Sequence, residues 1–185
     1  MKNTKKSTIK STFTLVLVAI FSFGLTTFTA YAADHSGHYD LDPFVSMGNH
    51  LSHVEWWYSQ DGDYYYGYRI LLGANAWEDA GVGAGFTEVS DKDDSVIRIY
   101  SNDYGNVDWI GQHTPHIGYG TIKLNEYHHD SQGGYETYEE VFAHEMGHAF
   151  GLDHYDCDSE LMKPKGYNGT PDPYIGDKAG MAAKY

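Results

Sequence analysis

Three histidines and a glutamate stand at H-E-x-x-H-x-x-G-x-x-H spacing in the run His144-Glu145-Met146-Gly147-His148-Ala149-Phe150-Gly151-Leu152-Asp153-His154. On a helix, residues four apart share a face one turn apart, so His144 and His148 can reach a single ion. Zinc binds imidazole nitrogen at about 2.0–2.1 Å and, where it does chemistry, takes three protein ligands and keeps one position open. His154 completes that set only if the chain leaves the helix and turns back. Gly151 stands where the turn must fall, and glycine reaches positive φ without steric cost. Glu145 follows the first ligand, so it occupies the neighbouring sector of the helix, beside the open position. That is where a general base for a metal-activated water belongs. Two blander readings stand beside this one. The histidines could belong to an ordinary amphipathic helix, or to a closed structural zinc site with Cys157 as a fourth ligand, which would leave Glu145 without a task.

The elements that must position these groups are also written in the chain. Thr137-Tyr138-Glu139-Glu140 has the form of a capping box, with Thr137 as N-cap and Glu140 at N3. Val141, Phe142, Ala149 and Phe150 supply an apolar side, and Gly151 ends the helix. Upstream, Val54–Tyr58 reads as a first strand. Ile70, Leu71, Ala74 and Trp77 recur at helical spacing, which predicts a backing helix over 66–79. Residues 86–89 and 95–100 read as strands across the acidic turn at 90–94, and 120–125 as another. Tyr64, Tyr65, Tyr66 and Tyr68 fit β-propensity and core packing better than an aromatic binding surface.

These residues resemble the metzincin clan of zinc endopeptidases. Leu161-Met162-Lys163-Pro164 is similar to the Met-turn of matrixins, with Met162 as the apolar floor beneath the metal. Gly151-Leu152-Asp153-His154 and the closing stretch from Asp177 to Tyr185 also resemble matrixin segments. The resemblance spans residues 54–185 and is most specific over 144–164. It implies an α+β metzincin (zincin-like) fold: a twisted, mostly antiparallel sheet, a backing helix, an active-site helix, and a small C-terminal subdomain with a terminal helix. It further implies that the strand before the active-site helix, placed at 117–124, is the edge that pairs with substrate. His113, His116, His128 and His129 are the histidines available for the second zinc of matrixins, without the expected acidic partners. Lys163-Pro164 occupies the place where related families carry a tyrosine.

Composition sets the outer bounds. Lys2, Lys5, Lys6 and Lys10, an apolar stretch from Leu15 to Phe21, and Ala30-Tyr31-Ala32 have the form of a secretory signal, expected to be removed after Ala32. The reading is therefore 1–32 signal peptide, 33–50 mobile N-terminal arm and 51–185 catalytic domain, secreted, with no stable membrane insertion after cleavage. From residue 33 onward, eight basic residues face 26 acidic ones, a formal charge of −18. This acidity argues against nucleic acid and anionic membranes as partners. One cysteine excludes an internal disulfide, so a small core needs other staples. Zinc is one. Calcium is a second reading, through Asp103, Asn106 and Asp108 around Gly105, set against an ordinary turn. The expected function is a monomeric zinc endopeptidase acting on a peptide or protein. The rival is a zinc-dependent binding protein on the same scaffold, which would need the histidines but not Glu145.

Overall fold

The structure, a computed structural model, describes residues 34–185; the signal-peptide reading falls outside them. Five strands form one sheet: β2 (Val54–Gln60), β3 (Phe86–Glu88), β4 (Ile97–Asn102), β5 (Gly111–His116) and β6 (Tyr119–Asn125), in the order β3-β2-β4-β6-β5. Helices α1 (Gly67–Asp79) and α2 (Tyr135–Phe150) accompany the sheet, and α3 (Ile175–Lys184) closes the chain. Two short strands, β1 (Asp40–Leu41) and β7 (Leu152–Asp153), pair apart from it. The α+β class with backing, active-site and terminal helices is as expected.

The polarity of the sheet is not. The pairs β2–β3, β2–β4 and β4–β6 are parallel, and only β5–β6 is antiparallel. Side-chain alternation fixes which residues face the core but carries no strand direction. Direction comes from the connections, and the crossover through α1 returns the chain parallel to β2. The expected substrate edge is corrected for the same reason. β6 is paired on both sides; the edges are β3 and β5, and β5 is the one that lies against α2. The sequence Gly-Gln-His-Thr-Pro-His of β5 has no apolar alternation, and its Pro115 is tolerated because edge strands need not donate every amide. A tight turn at Ile117-Gly118 joins it to β6, with His116 opposite Tyr119.

On β4 buried and half-buried residues alternate along the strand, so only one face meets the core. Val54, Trp56, Ile97, Ile99, Ile122 and Leu124 from the sheet pack in one cluster with Ile70, Trp77, Phe142 and Phe150 from the helices. Each fully buried aliphatic side chain contributes about 1.5–3 kcal/mol, which makes this cluster the main support of the site. α1 backs α2 directly: Trp77 Nε1 donates to Ala143 O at 2.8 Å, and Arg69 pairs with Glu139. Tyr66 is buried, stacks on Tyr138 and donates or accepts with His129 Nδ1, whereas Tyr65 and Tyr68 are exposed, so the tyrosine run divides between core and surface.

Two further expectations change. α2 starts at Tyr135 with Gly134 before it, so Thr137 and Glu140 are not a capping box. Thr137 Oγ1 turns back to Gln132 O, and the Glu140 carboxylate accepts the amides of Asn168 and Gly169. The segment 33–50, expected to be a mobile arm, is tied to the body over its described residues 34–50. Asp40 and Leu41 pair with Asp153 and Leu152, Asp42 N donates to Gly151 O at 2.9 Å, and a 3-10 turn runs over Gly48–His53. Among the described residues no helix is long and apolar enough to cross a membrane.

Candidate active site and metal centre

α2 carries His144, Glu145 and His148 toward β5. Gly151 then takes φ 92° and ends the helix, and β7 returns the chain so that His154 meets the other two imidazoles. His154 Nε2 lies 3.1 Å from both His144 Nε2 and His148 Nε2. Ligand atoms about 2.0–2.1 Å from a common tetrahedral ion are separated by roughly 3.3 Å, so the three nitrogens have the spread zinc needs.

The tautomers are set from behind. His144 Nδ1 donates to Leu161 O at 2.7 Å and His148 Nδ1 donates to Leu152 O at 2.9 Å. An imidazole that spends its N–H on a carbonyl can offer only a lone pair from the other nitrogen. Burial, with the neighbouring His148 charge adding to it, holds His144 down to about 3; burial also holds His148 below its ordinary value. Neutral imidazoles with lone pairs turned on one another are the donor set that a divalent cation satisfies, so these residues fit zinc.

Glu145 is buried, and its Oε2 accepts the amide of His113 on β5 at 2.6 Å. Burial pushes its carboxyl up to about 7, against the pull of that amide. The helix and the edge strand touch here: any side chain at Gly111 would run into Glu145 and Val141. A cleft of about 550 Å³ is lined by β5 residues including Gly111, Gln112 and His113, by the three histidines and Glu145, and by the wall from Lys163 to Tyr167.

Met162 is buried beneath α2, where a side chain at Gly147 would collide with its sulfur. Its loop is held by a residue assigned in the sequence only to the terminal helix. The Asp177 carboxylate accepts Leu161 N at 2.8 Å, Met162 N at 3.1 Å and Tyr174 N at 2.8 Å. An acid in the first turn of α3 is a visible signal, but it reads as a helix cap until the fold brings the Met162 loop against it. His113 is a zinc candidate by residue type; its amide, not its ring, serves the site, and backbone groups leave no mark in sequence.

His113, His116, His128 and His129 do not converge. His128 Nε2 meets Val107 O at 2.9 Å and His129 Nδ1 meets the Tyr66 hydroxyl at 2.8 Å. Around Gly105, Asp103 Oδ1 accepts the Gly105 amide at 2.7 Å, and Asn125 binds Tyr104 N and Gly105 O; this is a side-chain-braced turn.

Residues 73–177 match the reprolysin-like M12B family of metallopeptidases. The helix–loop site and sheet edge define a zinc-dependent peptidase scaffold of the metzincin clan. The chain belongs to the reprolysin-like M12B metallopeptidase family. A solved chain described as the GM1-bound form of the ECX AB5 holotoxin is similar at TM-score 0.47 and 12% identity, over 65% of this chain and 62% of that one. The present chain thus spans less than two thirds of that chain's length. No curated protein matches in sequence.

Proposed function

We propose that the protein is a secreted endopeptidase that cleaves extended peptide segments laid along β5, with His144, His148 and His154 holding one catalytic zinc and Glu145 as base. The observation that supports this best is the meeting of three Nε2 atoms with a buried carboxylate in one cleft beside a free strand edge. Zinc, when bound, polarises the scissile carbonyl and acidifies the attacking water.

The rest falls to the chain. β5 offers unpaired main-chain groups to an extended segment, the way an added strand is recognised. His113 N fixes Glu145 Oε2, which leaves Oε1 to receive the proton from water. A carboxyl held near neutrality by burial is matched to taking that proton and returning it to the departing amine. Within the metzincin clan, the short path from His154 to Met162, the Lys163-Pro164 step and the Asp177–Tyr185 helix support a matrixin-like form. The signal-like segment 1–32 supports export.

The test is cleavage of a peptide library with and without chelator, for the wild type and Glu145→Ala at matched zinc content. Cleavage that disappears with chelator and falls by roughly three or more orders of magnitude in the variant is expected. Equal turnover in the two proteins rejects the assignment of Glu145. A zinc-loaded wild type that cleaves nothing leaves the binding-protein alternative.

A further inference from the structure

A second cluster of metal-binding side chains lies away from the cleft. It is built from two short turns, each presenting two donors three residues apart. His35-Ser36-Gly37-His38 is closed by His38 N donating to His35 O at 2.9 Å, and Cys157-Asp158-Ser159-Glu160 by Glu160 N donating to Cys157 O at 3.1 Å. The turns face each other across the fold. His35 Nδ1 lies 3.1 Å from Glu160 Oε1, His38 Nδ1 lies 3.2 Å from Cys157 Sγ, and Cys157 Sγ lies 3.5 Å from His35 Nδ1. All four ligand atoms lie within 4.8 Å of one another. Donors about 2.0–2.3 Å from one tetrahedral ion stand roughly 3.3–3.6 Å apart, so these three separations are close to those of a coordination shell.

We propose that His35, His38, Cys157 and Glu160 form a closed, structural zinc site that clips the N-terminal segment to the loop between His154 and Met162.

Charge argues for a cation here. The Glu160 side chain has no exposed surface, and beside it lies the buried Asp177 carboxylate with its three backbone amides. Asp177 N donates to Glu160 Oε2 at 3.1 Å, and the two buried carboxylates so brought together disfavour carrying two negative charges without a cation. No lysine or arginine pairs with Glu160 among the described residues; its only basic neighbour is His35. A dication with one thiolate and one carboxylate among its ligands is formally neutral, and it removes the cost of burying Glu160. The surroundings are also shaped for the contact. A side chain at Gly176 would run into His38 O and the Glu160 carboxyl, so the first turn of α3 is cut back where the two turns meet. The His38 ring stacks on Tyr155 and the His35 ring stands edge-on to Tyr174, so each imidazole has an aromatic neighbour to pack against.

Four protein donors leave no open position, so this site does no chemistry of its own; it ties residues 35–38 to the loop that carries the third active-site histidine. The motif pair H-x-x-H and C-x-x-E is plain in the sequence, yet the two halves lie 119 positions apart, and it is tertiary contacts, the β1–β7 pairing among them, that bring them together.

The experiment is metal analysis of the purified protein, wild type, Cys157→Ser and His148→Ala. The wild type is expected to hold about two zinc equivalents, and each variant about one. Cobalt substitution separates the sites: a near-ultraviolet thiolate-to-cobalt band is expected in the wild type and in His148→Ala and absent from Cys157→Ser. A third readout covers the case in which Cys157→Ser fails to fold. In the wild type, zinc is expected to slow modification of the Cys157 thiol by a disulfide reagent roughly tenfold or more, with chelator restoring the rate. One zinc equivalent in the wild type, no thiolate band, and a thiol equally reactive with and without zinc would overturn the site and leave a metal-free hydrogen-bonded cluster.

Discussion

His144 Nδ1 donates to the carbonyl oxygen of Leu161 at 2.7 Å, so the first imidazole of the triad is aimed by the Met162 loop rather than by its own helix. The same peptide strand is held from the other side by Asp177. Loss of that carboxylate strands the buried amides of Leu161 and Met162, each costing about 1–3 kcal/mol, and frees the half-buried amide of Tyr174. Asp177→Ala is expected to lower the melting temperature and to weaken zinc binding by roughly 10–100-fold, the usual effect of losing a group that orients a ligand. Chelator competition reads the affinity. An unchanged zinc affinity in a destabilised protein would show that Leu161 holds its place without Asp177.

Gly111→Ala tests the contact between edge strand and base. The added methyl displaces Glu145 or pushes β5 from the helix, while the histidines are untouched. Turnover is expected to fall by roughly tenfold or more at full zinc content, since small misplacements of a reacting group are costly. Lost zinc together with lost turnover would mean that the strand, and not the carboxylate, had moved.

How much of this could be read from the residues alone differs by level. The triad, Glu145 and the end of α2 at Gly151 were legible, because ligand spacing on a helix is a local property. β5 was not legible, because Gly111–His116 has neither alternation nor strong β-formers and is a strand only through its partner β6. Strand direction was hidden for a related reason: it belongs to connections rather than to side chains. Glu140 looked like a local cap and is a tertiary clamp on Asn168 and Gly169, and the same four-residue window cannot distinguish the two.

His154→Ala links the site to folding. The triad gathers α2 and the returning segment after it, so zinc binding adds to the free energy of folding. The variant is expected to melt lower than wild type in zinc, and the two are expected to converge in excess chelator. A melting temperature indifferent to both chelator and substitution would separate the metal from stability.

His113 gives the fold an acid limit. Burial, and after it the charges of His148 and His116, hold its imidazole down to about 4 from an ordinary 6.5. The unfolded chain therefore takes up this proton at higher pH than the folded one. The contribution is present in full above pH 6.5 and is lost as pH falls from 6.5 toward 4. It amounts to on the order of 3 kcal/mol. Urea unfolding in chelator is expected to show a shallower loss of stability across that window for His113→Gln than for wild type. Parallel profiles would mean that the ring is already solvated.

The N-terminal segment supplies the last prediction. Asp34, His35, His38, Asp40 and Asp42 all carry side chains able to bind zinc, and one of them in the open position would block the site. Among the described residues none of them joins the His144–His148–His154 group; His35 and His38 turn to Cys157 and Glu160 instead. The strand Asp40–Leu41 lies against Leu152–Asp153, immediately before the third histidine, and Lys184 on α3 reaches Asp42 O. This arrangement braces His154 and leaves the cleft open. A protein beginning near Gly48 is therefore expected to be less stable than one beginning at Ala33, to bind the triad zinc more weakly, and to show no gain in turnover per bound zinc. The measurements are thermal melting, zinc stoichiometry and peptide cleavage on the two proteins side by side. A shortened protein with clearly higher turnover at equal zinc content would instead make the segment an inhibitor, with one of its carboxylates reaching the cleft in solution.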